Sequence, residues 1–282
     1  MSDICVAHLV RKKNGMEPFR LFLESYLKYP AGIDHELLIV YKGFCCKAEL
    51  NNYEEMLKNI GHSSMKVADF GFDLRPYFVV AEKHDSKYFC FLNSFSVIRD
   101  EDWLLKLYRQ ISQPGMGMAG ATGSWGSMRP GQRPKKELSW YGKLARNWMS
   151  ISAGIFFDPF PNYHVRTNGF MIARDTMLKI QRGKILTKMQ AWMLESGRNS
   201  ITKQVMRMGL GVVVVGRDGK GYEKHSWDVS NTFRRGTQGN LLISDNQTRK
   251  YDSENIEWKR KSELFAWGKL ADEPQKNIVS TR

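Results

Sequence analysis

Residues 88–98 read YFCFLNSFSVI. The apolar run from Tyr88 to Leu92 has the length and composition of a buried strand, and Asn93-Ser94 ends it with side chains that favour turns. The segments around this run decide what it belongs to. Upstream, Ile4 to Val10 reads as a first strand, RKKNG as a turn, and Glu17 to Tyr29 as a helix with Phe19, Phe22, Leu23 and Tyr26 on one face. HELLIVYKGF, residues 35–44, is a second strand, Ala48 to Ile60 a helix, and Met65 to Phe70 a third strand. Pro76 to Lys83 is a short helix opened by proline in its first turn. Downstream, RDEDWLLKLYRQI carries acidic residues at a helix start and basic residues near its end, as the helix dipole favours. Strands and helices taking turns in this way predict an α/β chain with a mostly parallel central sheet flanked by helices.

The second half is less regular. GMGMAGATGSW, residues 115–125, is a glycine-rich strand and its exit; it lacks the Lys-Ser/Thr ending of a P-loop and the spacing of a dinucleotide fingerprint, so close packing explains it better than phosphate binding. Residues 126–163, punctuated by Pro130, Pro134, Pro159 and Pro161, are expected to form an irregular insertion or lid. HVRTNGFMIARD then reads as an alternating strand, Lys188 to Met208 as one helix, and GVVVVG as a strand, followed by a polar, aromatic tail. The expected division is a domain over 1–230 and a C-terminal extension over 231–282 that packs on or closes the site.

With 282 residues, 42% hydrophobic and 12% aromatic, the chain can bury a core without covalent staples. Cys5, Cys45, Cys46 and Cys90 lack zinc-type spacing, and no disulfide framework follows from them. No basic segment precedes a long apolar stretch at the N-terminus, and no apolar run reaches the roughly 18 residues of a membrane span. The expectation is a cytoplasmic protein without a transmembrane segment, possible at the membrane periphery. Forty-three basic residues against 29 acidic ones, a net charge of +14, favour an anionic partner: a nucleotide, a phospholipid surface or nucleic acid.

The order of ICVAHLV, HELLIVYKGF, YFCFLNSFSVI with DEDWLLKL, and RTNGFMIARD with AWMLESG resembles the GT-A fold glycosyltransferases over roughly residues 3–230. The resemblance implies a GT-A-like single domain with a Rossmann-like sheet, and transfer of a hexosyl or pentosyl group from a nucleotide-diphosphate sugar to an acceptor hydroxyl, inversion being favoured. The acceptor it implies is a saccharide or glycolipid, in polysaccharide or glycolipid assembly, with the basic face at an anionic membrane surface. The basic, aromatic cluster over 129–148 suits phosphate contact and base stacking, which keeps open an enzyme that modifies hydroxylated bases in DNA. A noncatalytic sugar-nucleotide or nucleic-acid binding protein is the remaining alternative.

Enzymes of this family present an Asp-x-Asp motif to a divalent metal at the end of the fourth strand. Asn93-Ser94-Phe95 stands there in this chain. An amide and a hydroxyl can hydrogen-bond a diphosphate but bring no charge to Mg²⁺ or Mn²⁺. Either a single protein ligand suffices beside substrate phosphates and water, or basic residues neutralise the diphosphate directly. No organic cofactor is implied.

The resemblance places the donor against Ala7, His8 and Val10 of the first strand, Asp73 and Arg75 of GFDLRPYF, Asn93 and Ser94, Arg166 and Asn168 of RTNGF, and Arg234 of NTFRRGTQGN. Several of these have ordinary structural readings: Asn93 as a turn cap, Asp73 as a helix N-cap, Arg234 with Arg235 as solvated surface. Glu195, in WMLESGRNS, is the expected catalytic base, matching the acidic residue ahead of a helix in inverting members; an acidic residue near a helix start is also stabilising without any catalytic task. His225 is the expected late histidine at the metal or diphosphate, with a structural role beside Trp227 as the competing reading.

Overall fold

The computed structural model describes residues 3–129 and 154–271. Most of the insertion expected over 126–163, nearly all of the cluster at 129–148 and the last eleven residues lie outside the described residues. The α/β class is as expected: an eight-stranded, mostly parallel sheet carries helices on both faces.

Strands β1 (Ile4–Arg11), β2 (Glu36–Lys42), β3 (Ser63–Val67) and β4 (Tyr88–Leu92) are joined through helices α1 (Glu17–Lys28), α2 (Asn51–Leu57) and α3 (Leu74–Lys83). They lie in the order β3-β2-β1-β4, all parallel. The chain runs outward from β1 to β2 on one side and β4 on the other, so the crevice beyond the carboxyl ends of β1 and β4 is a topological switch point, where ligands of open α/β sheets bind. A two-residue strand β5 (Val97–Ile98) and helix α4 (Trp103–Ile111) lead to β6 (Met116–Gly120) and the short β7 (Gly123–Ser124).

The single strand expected from HVRTNGFMIARD is two strands. β8 (His164–Val165) pairs with β7, while β9 (Gly169–Ala173) enters the main sheet antiparallel between β4 and β6. Arg166, Thr167 and Asn168 fall in the break because their side chains bond to neighbouring segments instead of following a ladder. Beyond it come α5 (Arg174–Lys179), α6 (Lys188–Ser196), α7 (Ile201–Arg207), β10 (Gly211–Val215) and β11 (Gly221–Glu223), the last two completing the sheet beside β6. The one helix expected over Lys188–Met208 is thus interrupted. Ser200 caps α7 by accepting the Lys203 N–H, and Gly197 closes α6 where a Cβ would stand 2.5 Å from the Met193 carbonyl oxygen.

The expected polar tail is also structured. β12 (Ile243–Ser244) pairs with β5, and α8 (Asn246–Ser253) and α9 (Ile256–Trp267) follow. Asp245 caps α8 through the Gln247 and Thr248 N–H groups, while Ala266 and Trp267 bury the end of α9.

Strand alternation divides the core between the two faces. Val6, Val10, Ile39, Cys90 and Met171 meet Phe22, Trp103 and Leu107 of α1 and α4. Ala7, Leu9, Phe89, Phe91 and Phe170 meet Tyr77, Val80, Val205 and Trp227 on the other face. Gly120 allows close packing: a Cβ there would lie 2.2 Å from Val165 Cγ1, which accounts for the small residues of GMGMAG.

Candidate active site

Two consecutive side chains of the β8–β9 break anchor the site. The Thr167 backbone N–H and hydroxyl both donate to Glu195 Oε1, at 3.2 and 2.8 Å. They fix one carboxylate oxygen of Glu195. Glu195 lies in the last turn of α6, not ahead of a helix start as expected; Gly197 ends the helix and α7 begins only at Ile201. One turn earlier on the same face is Trp192. Both line a pocket of 280 Å³ together with Arg166, Arg234, His164 and Phe233.

The two arginines differ in what holds them. Arg166 Nη2 donates to Asp245 Oδ2 at 2.6 Å, and its guanidinium lies 4.2 Å over the Phe233 ring. Asp245 is 1% exposed. Burial alone would raise its pKa, but Arg166 and the N–H of Thr248 bring it below the ordinary carboxylate range. Among the described residues Arg234 has no carboxylate partner of this kind. Its Nη2 donates to Gln247 Oε1 at 3.3 Å, and its Nε is buried without a hydrogen-bond partner. Burial, and then the neighbouring Arg166 charge, push its pKa down to about 10. Two adjacent guanidinium groups, one with an unsatisfied buried N–H, form an anion-receptive wall. Arg235 points elsewhere, donating to the Lys269 carbonyl at 3.0 Å.

His164 Nδ1 bonds the Asn162 carbonyl oxygen at 2.8 Å, and burial lowers the pKa of the ring, so a neutral imidazole borders Glu195. Asn168 stands behind the wall: its Oδ1 accepts from the Thr122 hydroxyl at 2.6 Å and its backbone oxygen from the Asn93 N–H at 3.2 Å. Gly169 makes room for Ile243 of β12, whose side chain would lie 3.2 Å from a Cβ.

Asp73 stands at the N-cap position of α3, but its side chain caps no N–H. Burial raises its pKa, opposed by Lys42 and Arg11 and reinforced by Glu195. Tyr77 feels both carboxylates and donates to the Thr167 carbonyl oxygen at 3.3 Å, which puts Asp73 on the Glu195 side of the crevice without lining the pocket. Lys42, unremarked within the run ELLIVYK, is fully buried, donates to the Phe72 carbonyl, and is pushed down to about 8 by burial. Arg75 lies apart, stacked 3.8 Å over the exposed Phe70 ring.

Other expected donor contacts sit in the core. Ala7, His8 and Val10 are at most 2% exposed. His8 and Val10 share the face of β1 that packs under α1, where the His8 ring stacks 3.6 Å from that of Phe22. None of the three lines the pocket.

At the end of β4, Asn93 Oδ1 accepts the Phe95 N–H at 2.9 Å, the turn bond of the ordinary reading, and Ser94 Oγ is buried without a partner. Neutral donors, one already engaged, do not fit Mg²⁺ or Mn²⁺, which require hard charged oxygens. His225 is exposed, its Nδ1 3.0 Å from the Tyr163 hydroxyl, away from the pocket lining. Among the described residues no group of three or more His, Cys, Asp or Glu side chains could hold a metal ion. No helix among them is long and apolar enough to cross a membrane.

Sequence proximity would not have found Gln247, which lines the pocket from the C-terminal segment, or Asp245, which holds Arg166 from the same segment. Trp192 had a local signal: it precedes Glu195 by three residues on a helix and therefore shares its face.

No family model matches the chain, and no curated protein matches its sequence. Among solved structures it is similar to the mannosyltransferase PcManGT from Pyrobaculum calidifontis in complex with GDP-Man and Mn²⁺, with TM-score 0.49 and 9% identity over 80% of this chain and 60% of that one. It is also similar to residues 1–349 of TarS from S. aureus, with TM-score 0.34 and 13% identity over 49% of this chain and 39% of that one. The chain therefore spans less than two thirds of either structure.

Proposed function

We propose that the protein is a GT-A-like glycosyltransferase that moves a hexosyl or pentosyl group, with inversion, from a nucleotide-diphosphate sugar to an acceptor hydroxyl. The observation that carries this reading is the meeting of Glu195 with the Arg166–Arg234 pair in one pocket near the carboxyl edge of the sheet.

The chemistry assigned to each group is simple. The acceptor oxygen attacks the anomeric carbon from the face opposite the diphosphate, the bond from that carbon to the diphosphate oxygen breaks, and the hydroxyl proton passes to the Glu195 carboxylate. Charge that develops on the leaving diphosphate is met by the guanidinium groups of Arg166 and Arg234. Thr167 holds the carboxylate in register, and the Trp192 ring offers an apolar face for a sugar ring. His164, neutral and fixed through Nδ1, adds no competing positive charge beside the base. Because the β4 turn supplies neutral donors, the arginines take the electrostatic task that charged metal ligands would support.

Calorimetric titration with a panel of nucleotide-diphosphate sugars, in Mn²⁺ and in EDTA, tests this reading. At least one donor is expected to bind, with similar affinity in both buffers, and Arg234→Gln is expected to weaken it by about 10-fold or more, the loss of one charge-assisted contact. Absence of binding by every donor would overturn the transferase reading. Binding abolished by EDTA would overturn the assignment of diphosphate charge to the arginines.

A further inference from the structure

Helix α6 has two differently employed faces. Trp192 and Glu195 line the pocket described above. Met193 and Leu194 line a second, open groove of 430 Å³ shared with Ile155, Phe156 and Lys184. Large apolar side chains stand in solvent at that groove: Ile155 and Phe156 of its lining are 60% and 38% exposed, and Leu186, whose N–H donates to Gln190 of the same lining, is 64% exposed. Exposed aliphatic groups clustered in this way mark an interaction surface.

The charge is predominantly basic between two flanking carboxylates, the exposed Asp175 and the pocket's Glu195. Residues 176–194 contain Lys179, Arg182, Lys184 and Lys188 and no acidic residue. Two carboxylates on neighbouring elements are already engaged: Glu82 with Arg182 at 3.1 Å, and Asp158 with Arg198 at 3.1 Å and with Lys203. Lys179 and Lys184 are exposed and have no ion pair among the described residues.

We propose that this face docks on an anionic phospholipid bilayer. Ile155, Phe156 and Leu186 enter the headgroup–acyl boundary, while Lys179 and Lys184 meet lipid phosphates. The combination selects a bilayer over a polynucleotide, because a phosphodiester backbone gives the protruding aliphatic groups nothing to bury against. Docking stands independently of the transfer reading. Its consequence for the acceptor rests on that reading: with α6 as the shared wall, about 10 Å thick, the pocket would face hydroxyls carried on lipid.

Flotation of the full chain with vesicles, with no donor present, tests the docking. Wild type is expected to float with vesicles of phosphatidylcholine mixed with phosphatidylserine and not with phosphatidylcholine alone. Lys179→Ser with Lys184→Ser should weaken partitioning about 25-fold, about fivefold for each lysine. Ile155→Ser with Leu186→Ser should remove the part of the binding that survives high salt. All four side chains are exposed, so an unchanged melting temperature shows that these variants remain folded. Failure of wild type to float, or variants that float as wild type does, overturns the proposal. So does a lysine variant that loses retention on duplex DNA while keeping vesicle binding, which would assign the face to nucleic acid.

Discussion

His8 lies in the middle of β1 with no exposure, and neither ring nitrogen has a hydrogen-bond partner. Burial pushes its pKa down from 6.5 to about 3. As pH falls through 6.5 toward 3, the unfolded chain takes up a proton that the native ring does not, so the native state loses stability across this window by up to about 1.4 kcal/mol per pH unit. His8→Leu removes the titrating group and leaves an apolar side chain against Phe22. Its acid-unfolding midpoint should lie at lower pH than that of wild type; superimposable acid-unfolding curves would contradict the burial of a neutral ring. The same residue shows why donor contacts were hard to read locally. The resemblance put the donor along the first strand, but the period of two puts His8 and Val10 on one face, and which face looks toward α1 is set by packing across the whole sheet. Asn93 was ambiguous for a related reason: an amide in a turn can serve a diphosphate or its own backbone, and here it accepts the Phe95 N–H.

At the scale of elements, the C-terminal segment reaches the site through Asp245, which caps α8 and holds Arg166 at once. Asp245→Asn keeps the shape and part of the cap but leaves the Arg166 guanidinium uncompensated in a largely buried position. It should lower stability by about 3 kcal/mol in urea unfolding; a loss within about 0.5 kcal/mol would show that the ion pair does not hold the segment in place. Little of this was legible. The α8 run NQTRKYDS has no apolar stripe from which a helix would be read, and only Asp245 with Thr248 three residues later hints at a cap. Where apolar spacing was strong, as in α1 and α4, helices were legible; where α6 meets α7, a continuous helical composition hid the break that Gly197 and Ser200 impose. Gly197 ends the helix just past Glu195, the base of the proposed transfer.

Across the whole molecule, alternating strands and helices were enough to foresee an α/β sheet, since each apolar run carries its own local period. The pocket was not foreseeable in the same way. Thr167, Glu195, Arg234 and Asp245 come from four segments scattered over the second half of the chain, and only the insertion of β9 between β4 and β6, with β12 returning to β5, brings them to one place. Glu195 and the two arginines were named from the sequence; their supports, Asp245, Thr167 and Trp192, needed the fold. The central claim is that Glu195 removes the acceptor proton at this place. Its most direct test is mass spectrometry of glycosylated product, formed from nucleotide sugars and candidate saccharide and lipid-linked acceptors, for wild type and Glu195→Gln. The account predicts product formation by wild type, a loss of about 100-fold or more in the variant, and donor affinity unchanged within about twofold, since the amide keeps the shape and the diphosphate contacts lie on Arg166 and Arg234. Equal product formation by the two proteins would contradict it.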